Sequence, residues 1–356
     1  MYRILCDSYV LYDPRLPELF VFEPELTQKK NDPGDLTFTI PKEHPNYGVL
    51  EKLKSRIKVY RDDTLIWLGR AIEDDRDLYE NRKMIAEGAL SFLLDSVLRP
   101  FTFDGTVPEL FAWILTAHNA QVNESQRLTL GNCDISGSVG VTSKDYLSAW
   151  QALKTCLLDS FGGYLIVRYG ENENPILDYL SDVPDTATQR IEFGENLIDL
   201  ALSRSASETY TACIPLGAAL RDIDPESDSD ARLTIEDVNG GQDYLIDTAL
   251  AAEYGLIFAP TGSTTWDEIT DANVLMNQGR DWLSGTGARY KQTIKLSAVD
   301  LHNADVNVES FRFLDKVVVS CGTLCTEETY VLSELTIPLN NPASTGIVLG
   351  DSRPSL

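Results

Sequence analysis

The sequence predicts an α+β protein that consists mainly of antiparallel β-structure. Three observations support this fold class. Short apolar runs separated by turn residues fill the first hundred residues, apolar residues at helical spacing first occur after Pro100, and strand patterns return from Ile191 and again after Thr286. The order of segments, β, α/β, β, α/β and β, is similar to two β-barrels that are each interrupted by an insertion.

The 356 residues are sufficient for two to four domains with apolar cores of their own. We predict four parts from the changes in pattern along the chain. They are a first β-barrel at 1–98, an α/β insertion at 99–190, a second β-barrel formed by 191–221 and 290–356, and a second insertion with short helices at 222–289.

The first part has the pattern of short strands joined by turns. Turn residues at 31–34 (Asn, Asp, Pro and Gly) and a polar turn at 61–64 each separate two apolar segments. The predicted strands lie at 20–26, 36–40, 57–60, 65–72 and 84–90. Strands of this length and spacing are typical of a barrel or a sandwich.

The first insertion begins with a helix. Thr106 and Glu109 have the spacing of a capping box, and Pro108 lies in the first turn. The apolar residues share one helix face as far as His118, and they are Leu110, Phe111, Ile114 and Leu115. We expect His118, at the end of this helix, to be a surface or capping residue.

A second helix and a hairpin complete the predicted insertion. The helix is expected to begin at Thr142 or Ser143 and to end before Gly162. The hairpin has strands at 164–169 and 176–180.

The rest of the chain alternates again between strands and short helices. Helices are predicted at 248–254, ending at Gly255, and at 271–283, ending at Gly285. Strands are predicted at 197–202, 210–216, 293–301, 313–320, 330–339 and 347–349.

The formal net charge of −25, from 55 acidic and 30 basic residues, disfavours several kinds of partner. Such a field repels phosphate groups, so we expect no specific nucleic-acid binding and no attraction to anionic membranes. No apolar run is long enough to span a bilayer, so no stable membrane insertion is expected. The amino terminus has no secretory signal, which indicates synthesis in the cytoplasm of the producing cell.

Cysteines and histidines do not form a recognisable site. The six cysteines are dispersed, which favours reduced thiols, and the spacing of Cys321 and Cys325 has one residue too many for a redox dithiol. The three histidines, His44, His118 and His302, are far apart and include no HExxH motif. We therefore predict no catalytic residue, no cofactor and no metal.

The acidic segment 222–230 has alternating carboxylates, as calcium loops do. Ser227 stands where an EF-hand needs glycine, and Leu233 stands where its bidentate glutamate would be. A solvated loop is the favoured interpretation. Carboxylates are so numerous in the chain that no glycosidase pair can be assigned from sequence.

Four stretches resemble the tail-hub proteins of bacteriophages and prophages, a family often labelled prophage endopeptidase tail and similar to the baseplate hub ring of contractile tails. They are IKVYRDDTLIWLGRAIEDD with EGALSFLLDSVLRP, FGENLIDLALSRSASETYTACIPLGA, YLIDTALAAEYGLIFAPTGSTTWDEITDANVLMNQGRDWL, and IKLSAVDLHNADVNVESFRFLDKVVVSCG with LSELTIPLNNPASTGIVLGD. Each is a loose pattern of apolar spacing and turns. Together they follow the family's order over nearly the whole chain.

The resemblance implies a virion structural protein at the tail tip, with two β-barrels and two insertions, that forms a homotrimeric ring with pseudo-sixfold symmetry. The ring would close the distal tail tube. Its implied partners are the distal tail protein or tube ring, the tape-measure protein, and other tail-tip or receptor-binding proteins. Longer family members carry further extensions that degrade peptidoglycan or bind receptors, and such an extension is not expected after Gly350. We expect no enzymatic activity; the alternatives are a peptidoglycan-degrading enzyme and a carbohydrate-binding tail-tip module.

The ring hypothesis leads to expectations about particular residues. Strands within 56–90, 197–216 and 293–339 are expected to form the interface between subunits. Because DNA must pass during ejection, the channel is expected to be acidic or neutral, with Asp62, Asp63 and Glu73 as candidates for its wall. A carbohydrate-binding module would expose aromatic clusters, whereas the five tryptophans mostly occupy expected core positions: Trp67, Trp113, Trp150, Trp266 and Trp282.

Overall fold

The computed structural model describes residues 1–205, 209–223, 231–267, 269–287, 291–303, 305, 307–320 and 327–350. The chain forms two compact units. The first comprises Met1–Leu202 and Ile294–Leu356, and the second comprises Ser203–Thr293.

The amino-terminal region consists of seven strands: β1 Tyr2–Cys6, β2 Tyr9–Tyr12, β3 Phe22–Lys29, β4 Asp35–Ile40, β5 Arg56–Arg61, β6 Thr64–Arg76 and β7 Arg82–Gly88. The predicted turns separate them. Asn31 and Gly34 adopt positive φ between β3 and β4, and Asp62 does so between β5 and β6. The five strands predicted in this region are therefore confirmed, and β1 and β2 add to them.

The next region contains seven strands and three helices. The strands are β8 Val97–Leu98, β9 Phe101–Thr106, β10 Thr129–Cys133, β11 Ser138–Ser143, β12 Leu147–Ser148, β13 Tyr164–Tyr169 and β14 Pro175–Leu180. The helices are α1 Val107–Asn119, α2 Ala149–Leu153 and α3 Asp159–Phe161, with a π-helical turn, Lys154–Leu158, between the last two. The predicted hairpin is β13 and β14, joined in antiparallel register.

The first predicted helix is confirmed and the start of the second was wrong. Thr106 donates its backbone N–H to Glu109, as the capping box requires, and α1 buries its apolar face. The second helix begins at Ala149, because Ser148 and Gln151 form its capping box. Thr142 and Ser143 instead lie in β11, where they pair with β9.

The second unit is built from short elements: β17 Ala212–Cys213, α4 Leu220–Ile223, β18 Leu245–Ile246, α5 Thr248–Tyr254 and α6 Ala272–Trp282. The helices α5 and α6 confirm the prediction. Asp247 and Asp271 cap their amino ends, and α5 ends at Gly255, which has positive φ. After α6 the chain continues through a π-helical turn over Leu283–Gly287, and only two residues of the strand predicted at 210–216 pair as a strand.

The remaining strands are β15 Ile191–Glu192, β16 Leu197–Ser205, β19 Lys291–Ala298, β20 Lys316–Ser320, β21 Glu328–Pro338 and β22 Gly346–Gly350. They join the amino-terminal strands in one large, mainly antiparallel sheet with the order β16-β19-β22-β21-β3-β4-β7-β6-β5-β1-β2, and β20 pairs with β21 and with β15. The amino-terminal and carboxyl-terminal strands are joined where β3 pairs with β21.

One hydrophobic core lies along this sheet. It takes buried side chains from the amino-terminal strands, such as Phe38 and Ile57, and from the carboxyl-terminal strands, such as Val317 and Leu349. The α+β class with mainly antiparallel strands is thus confirmed. Closure of the strands into two barrels and the division into four parts stay predictions. No helix within the described ranges is both long and apolar enough to cross a membrane.

Candidate functional site

The histidines are structural rather than clustered. His118 is fully buried, where a surface or capping residue was expected, and that expectation was wrong. Its Nδ1 lies 2.8 Å from Ser96 Oγ and its Nε2 lies 3.1 Å from the Gln126 carbonyl oxygen, so both ring nitrogens have partners. Burial lowers the pKa of His118, which favours the neutral ring. His118 is four residues after Ile114 in α1 and shares its buried face.

His44 and His302 hold loops in place. His44 is buried, with Nε2 2.8 Å from the Leu11 carbonyl oxygen, and burial lowers its pKa. His302 lies 2.7 Å from the Val308 carbonyl oxygen through Nδ1 and 3.2 Å from Asp62 through Nε2. Within the described part of the chain, no three His, Cys, Asp or Glu side chains are arranged to hold a metal ion.

Four cysteines are free thiols: Cys6, Cys133, Cys156 and Cys213. Burial raises the pKa of Cys6 and of Cys213 to about 11, so neither is a reactive thiolate at neutral pH. Cys321 and Cys325 lie outside the described residues, as do residues 224–230 of the acidic loop.

The carboxylates suggested for a channel wall are accessible. Asp63 is fully exposed in the turn between β5 and β6 and accepts a hydrogen bond of 2.9 Å from Arg3. Asp62 forms an ion pair of 2.8 Å with the amino terminus of Met1. Glu73 is exposed on β6. These contacts hold the turn in place and leave acidic groups at the surface.

The first unit contains a groove of about 720 Å³, which we call the β13 groove. One wall is β13, over residues 165–169, and the opposite wall is β6, over residues 64–67. The segment 307–315 forms a third wall. Its volume is in the range typical of ligand-binding clefts.

Polar groups are placed at several points of this groove. Arg61 donates to Ser310 Oγ at 2.6 Å and to the Phe311 carbonyl oxygen at 2.9 Å, which fixes the third wall against β5. Asp315 is buried, and desolvation raises the pKa of its carboxyl group to about 6. Trp67 is 3% exposed, and its indole N–H has no hydrogen-bond partner among the described residues.

No sequence pattern predicts this groove, because its walls come from segments that are far apart in the chain and meet only in the folded structure. Of the predicted core tryptophans, Trp67 is buried in the core of the large sheet. Trp113 and Trp150 are partly buried against the core around α1 and α2, and Trp266 and Trp282 are partly buried against the core of the second unit. The prediction that the tryptophans mostly pack into cores is confirmed.

Comparison with known proteins gives a clear result for structure. No protein-family model matches the chain, and no curated protein sequence matches it. Prophage tail protein gp18 from Listeria monocytogenes EGD-e superposes with a TM-score of 0.60 at 12% identity, covering 99% of this chain and 95% of its own. The tail protein from Neisseria meningitidis MC58 gives 0.65 at 10% identity, covering 98% of this chain and 96% of its own.

This chain has the fold of phage tail proteins. The 43 kDa tail protein of prophage MuSo2 from Shewanella oneidensis agrees, with a TM-score of 0.63 at 11% identity over 99% of this chain and 98% of its own. The E. coli c3393 protein, described as a component of the type VI secretion system with structural similarity to T4 tail proteins gp27 and gp5, gives 0.51 at 8% identity, covering 100% of this chain and 77% of its own. The resemblance seen in the sequence is confirmed at the level of the fold.

Proposed function

We propose that the chain is a structural subunit of a phage tail-tip or baseplate hub, which forms a homotrimeric ring at the distal end of the tail tube. The observation that carries this proposal is the tail-protein fold, shared over 98–99% of this chain and 95–98% of three tail proteins. Agreement over entire chains supports a common role better than agreement over one domain would. The similarity of c3393 to gp27 and gp5 supports a place in the hub.

Two physical features fit a subunit of an assembly. The large sheet ends at β2 and at β16, and an open edge strand pairs readily with another chain unless it is covered. At the tip of the β6–β7 hairpin, Leu78 and Tyr79 are 92% and 76% exposed. Asp77 holds this tip rigid, because its carboxylate accepts the N–H groups of Tyr79 and Asn81. We propose that ring contacts involve strands within 56–90, 197–216 and 293–339.

The remaining roles follow from the hub. The proposed partners are the distal tail protein or tube ring, the tape-measure protein, and receptor-binding or other tail-tip proteins, and the location is the virion tail tip. The net charge of −25 supports a channel that does not retain DNA, with Asp62, Asp63 and Glu73 on or near its wall. The proposed subunit has no hydrolytic activity, and cell-wall cleavage is left to another tail component.

Electron microscopy of the intact particle, combined with native mass spectrometry of the purified chain, tests the proposal. We expect a threefold ring at the tail tip and a species of three chain masses. A monomer at high concentration together with particles that lack a threefold ring would refute it. A channel lined mainly by lysine and arginine, or salt-sensitive DNA binding by the ring, would refute the acidic wall. Release of muropeptides that depends on one side chain of this protein would refute the non-enzymatic role.

A further inference from the structure

The strand β13 has a free edge that faces the groove. In the described part of the structure its only strand neighbour is β14, in a sheet with the order β10-β14-β13. Leu165 donates its N–H to Asn31 Oδ1 at 2.8 Å, away from β14. Because N–H directions alternate along a strand, the N–H groups of Val167 and Tyr169 point to the same side. Outside its ladder with β14, no hydrogen bond from either N–H group is found among the described residues.

Side chains close both ends of this edge. At one end Asn31 accepts the Leu165 N–H and donates through Nδ2 to the Gly163 carbonyl oxygen at 3.0 Å, as an added strand would. At the other end the Tyr169 hydroxyl accepts the Leu68 N–H at 2.9 Å and so connects β13 to β6. The backbone left open between these two contacts is centred on Val167. One residue of an added strand could bond to both the N–H and the carbonyl group of Val167.

Apolar side chains line part of the space beside this edge, and Trp67 is among the lining residues. Phe311, Phe313 and Ile337 line it together with β6. Trp67 is 3% exposed, and its buried indole N–H has no hydrogen-bond partner among the described residues. Trp67 Nε1 lies close to Gly88, since a methyl group built on Gly88 would come within 2.9 Å of it. Two neighbours of Gly88, Pro33 and Ala89, line the groove, so the indole N–H lies near the groove wall. A ligand for this site therefore needs apolar groups and hydrogen-bonding backbone groups together.

We propose that the β13 groove binds an extended polypeptide segment of a partner protein, which adds as a strand at Val167 and inserts an apolar side chain next to Trp67. An extended peptide is the ligand class that offers both an N–H and a carbonyl group to a strand edge and side chains that alternate between two faces. The negative charge of the protein argues against a nucleic-acid ligand, since phosphates would be repelled. The inference goes beyond the hub role and does not depend on ring formation.

Titration of the full chain with a synthetic peptide tests the proposal. The probe is acetyl-KTVTVTK-amide, and binding is followed by calorimetry and by tryptophan fluorescence. Two further probes carry N-methyl groups on the valine amides or on the threonine amides. Strand addition uses one edge of the peptide, so one methylated probe should bind about as well as the parent and the other at least about tenfold more weakly. Equal affinities for all three, or no binding of the parent at about 1 mM, would overturn the proposal.

Protein variants provide the matched comparison. Val167→Pro removes the free N–H but no bond to β14, so it should fold and weaken peptide binding by about tenfold. Val167→Thr keeps the N–H and should bind within about twofold of the original chain. Unchanged binding to a folded Val167→Pro variant would overturn the proposal. If that variant does not fold, the methylated peptides decide the outcome.

Discussion

The region from β8 to β14 and the second unit each contain most of one predicted insertion, 99–190 and 222–289, and their interiors differ in composition. In the first, α1 and α2 bury large apolar side chains in one core with β13 and β14. In the second, six buried apolar side chains form the core among the described residues. Two fully buried threonines contribute there as well, Thr211 and Thr264, each hydrogen-bonded to backbone groups. The first region has the larger apolar core, and the second combines a smaller apolar core with the buried hydrogen bonds of these two threonines.

The largest expected effect comes from the core of the first insertion. Phe111 is fully buried in α1, and its ring centroid lies 5.8 Å from that of Tyr179. Phe111→Ala leaves a cavity and should lower the free energy of unfolding by about 3–5 kcal/mol. Val274→Ala, at an exposed position of α6, is the control and should change it by about 0.5 kcal/mol or less. Urea denaturation measures both; similar losses would contradict the contrast.

Sequence patterns predicted the elements that depend on local rules. The capping box at Thr106 and the capping aspartates of α5 and α6 lie next to the apolar positions that they organise, so helix starts could be read directly. The start of α2 was missed because Thr142 and Ser143 also suit an N-cap, and their pairing with β9 is a contact about forty residues away in the chain. A burial signal for His118 did exist, because it follows Ile114 by four positions.

The β13 groove could not be predicted in the same way. It needs the register of β13 against β14 and the contact of Asn31 with Leu165, 134 positions later in the chain. Likewise, nothing in the amino-terminal sequence indicates that β3 pairs with β21 in one continuous sheet. Long-range strand pairing is decided by the complete core, which no local pattern encodes.

The first unit buries an ionisable side chain, Asp315, whereas Thr211 and Thr264 of the second unit are buried but cannot ionise. Desolvation raises the pKa of Asp315 to about 6, from an ordinary value of about 3.9. The folded state therefore holds the proton more strongly. The cost of ionising Asp315 is absent below about pH 4, grows as the pH rises, and is complete above about pH 6. At about 1.4 kcal/mol per unit, it amounts to about 3 kcal/mol.

Asp315→Asn should remove this cost while its amide oxygen still accepts the Arg312 N–H, a bond of 2.9 Å in the original chain. We expect the variant to be about 2–3 kcal/mol more stable at pH 7.5 and unchanged near pH 4. Asp63→Asn, at a fully exposed carboxylate, is the control for the loss of one negative charge. A gain of the same size at both pH values would contradict the assignment of the cost to ionisation.

In the second unit, Thr211 is the position where loss of a hydrogen bond should matter most. Its hydroxyl donates to the Gly255 carbonyl oxygen at 2.8 Å and accepts the Ile257 N–H at 2.7 Å. Thr211→Val keeps the shape but leaves both backbone groups without this partner, so we expect a loss of about 1–3 kcal/mol. Thr211→Ser keeps the hydroxyl and should lose less. Amide exchange should accelerate around residues 255–257 in the valine variant, and equal losses in both variants would assign the effect to packing.

The smallest expected effect concerns the helix caps, which the two regions should tolerate differently. Asp271 Oδ1 accepts the N–H groups of Asn273 and Val274 at 2.9 and 3.0 Å, and α6 buries only Leu275 and Gly279. Ser148 caps α2 by accepting the Gln151 N–H at 3.1 Å. Every residue of α2 except Gln151 packs in or against the apolar core.

Removal of either cap, Asp271→Ala or Ser148→Ala, should therefore cost about 1 kcal/mol, but the local result should differ. The first turn of α6 should fray and its amides should exchange faster, because few of its side chains are buried. The first turn of α2 should stay protected, because Ala149, Ala152 and Leu153 are buried. Asp271→Asn keeps an oxygen acceptor and should restore protection in α6. Equal exchange at the starts of α2 and α6 after cap removal would show that packing does not distinguish the two regions at their helix ends.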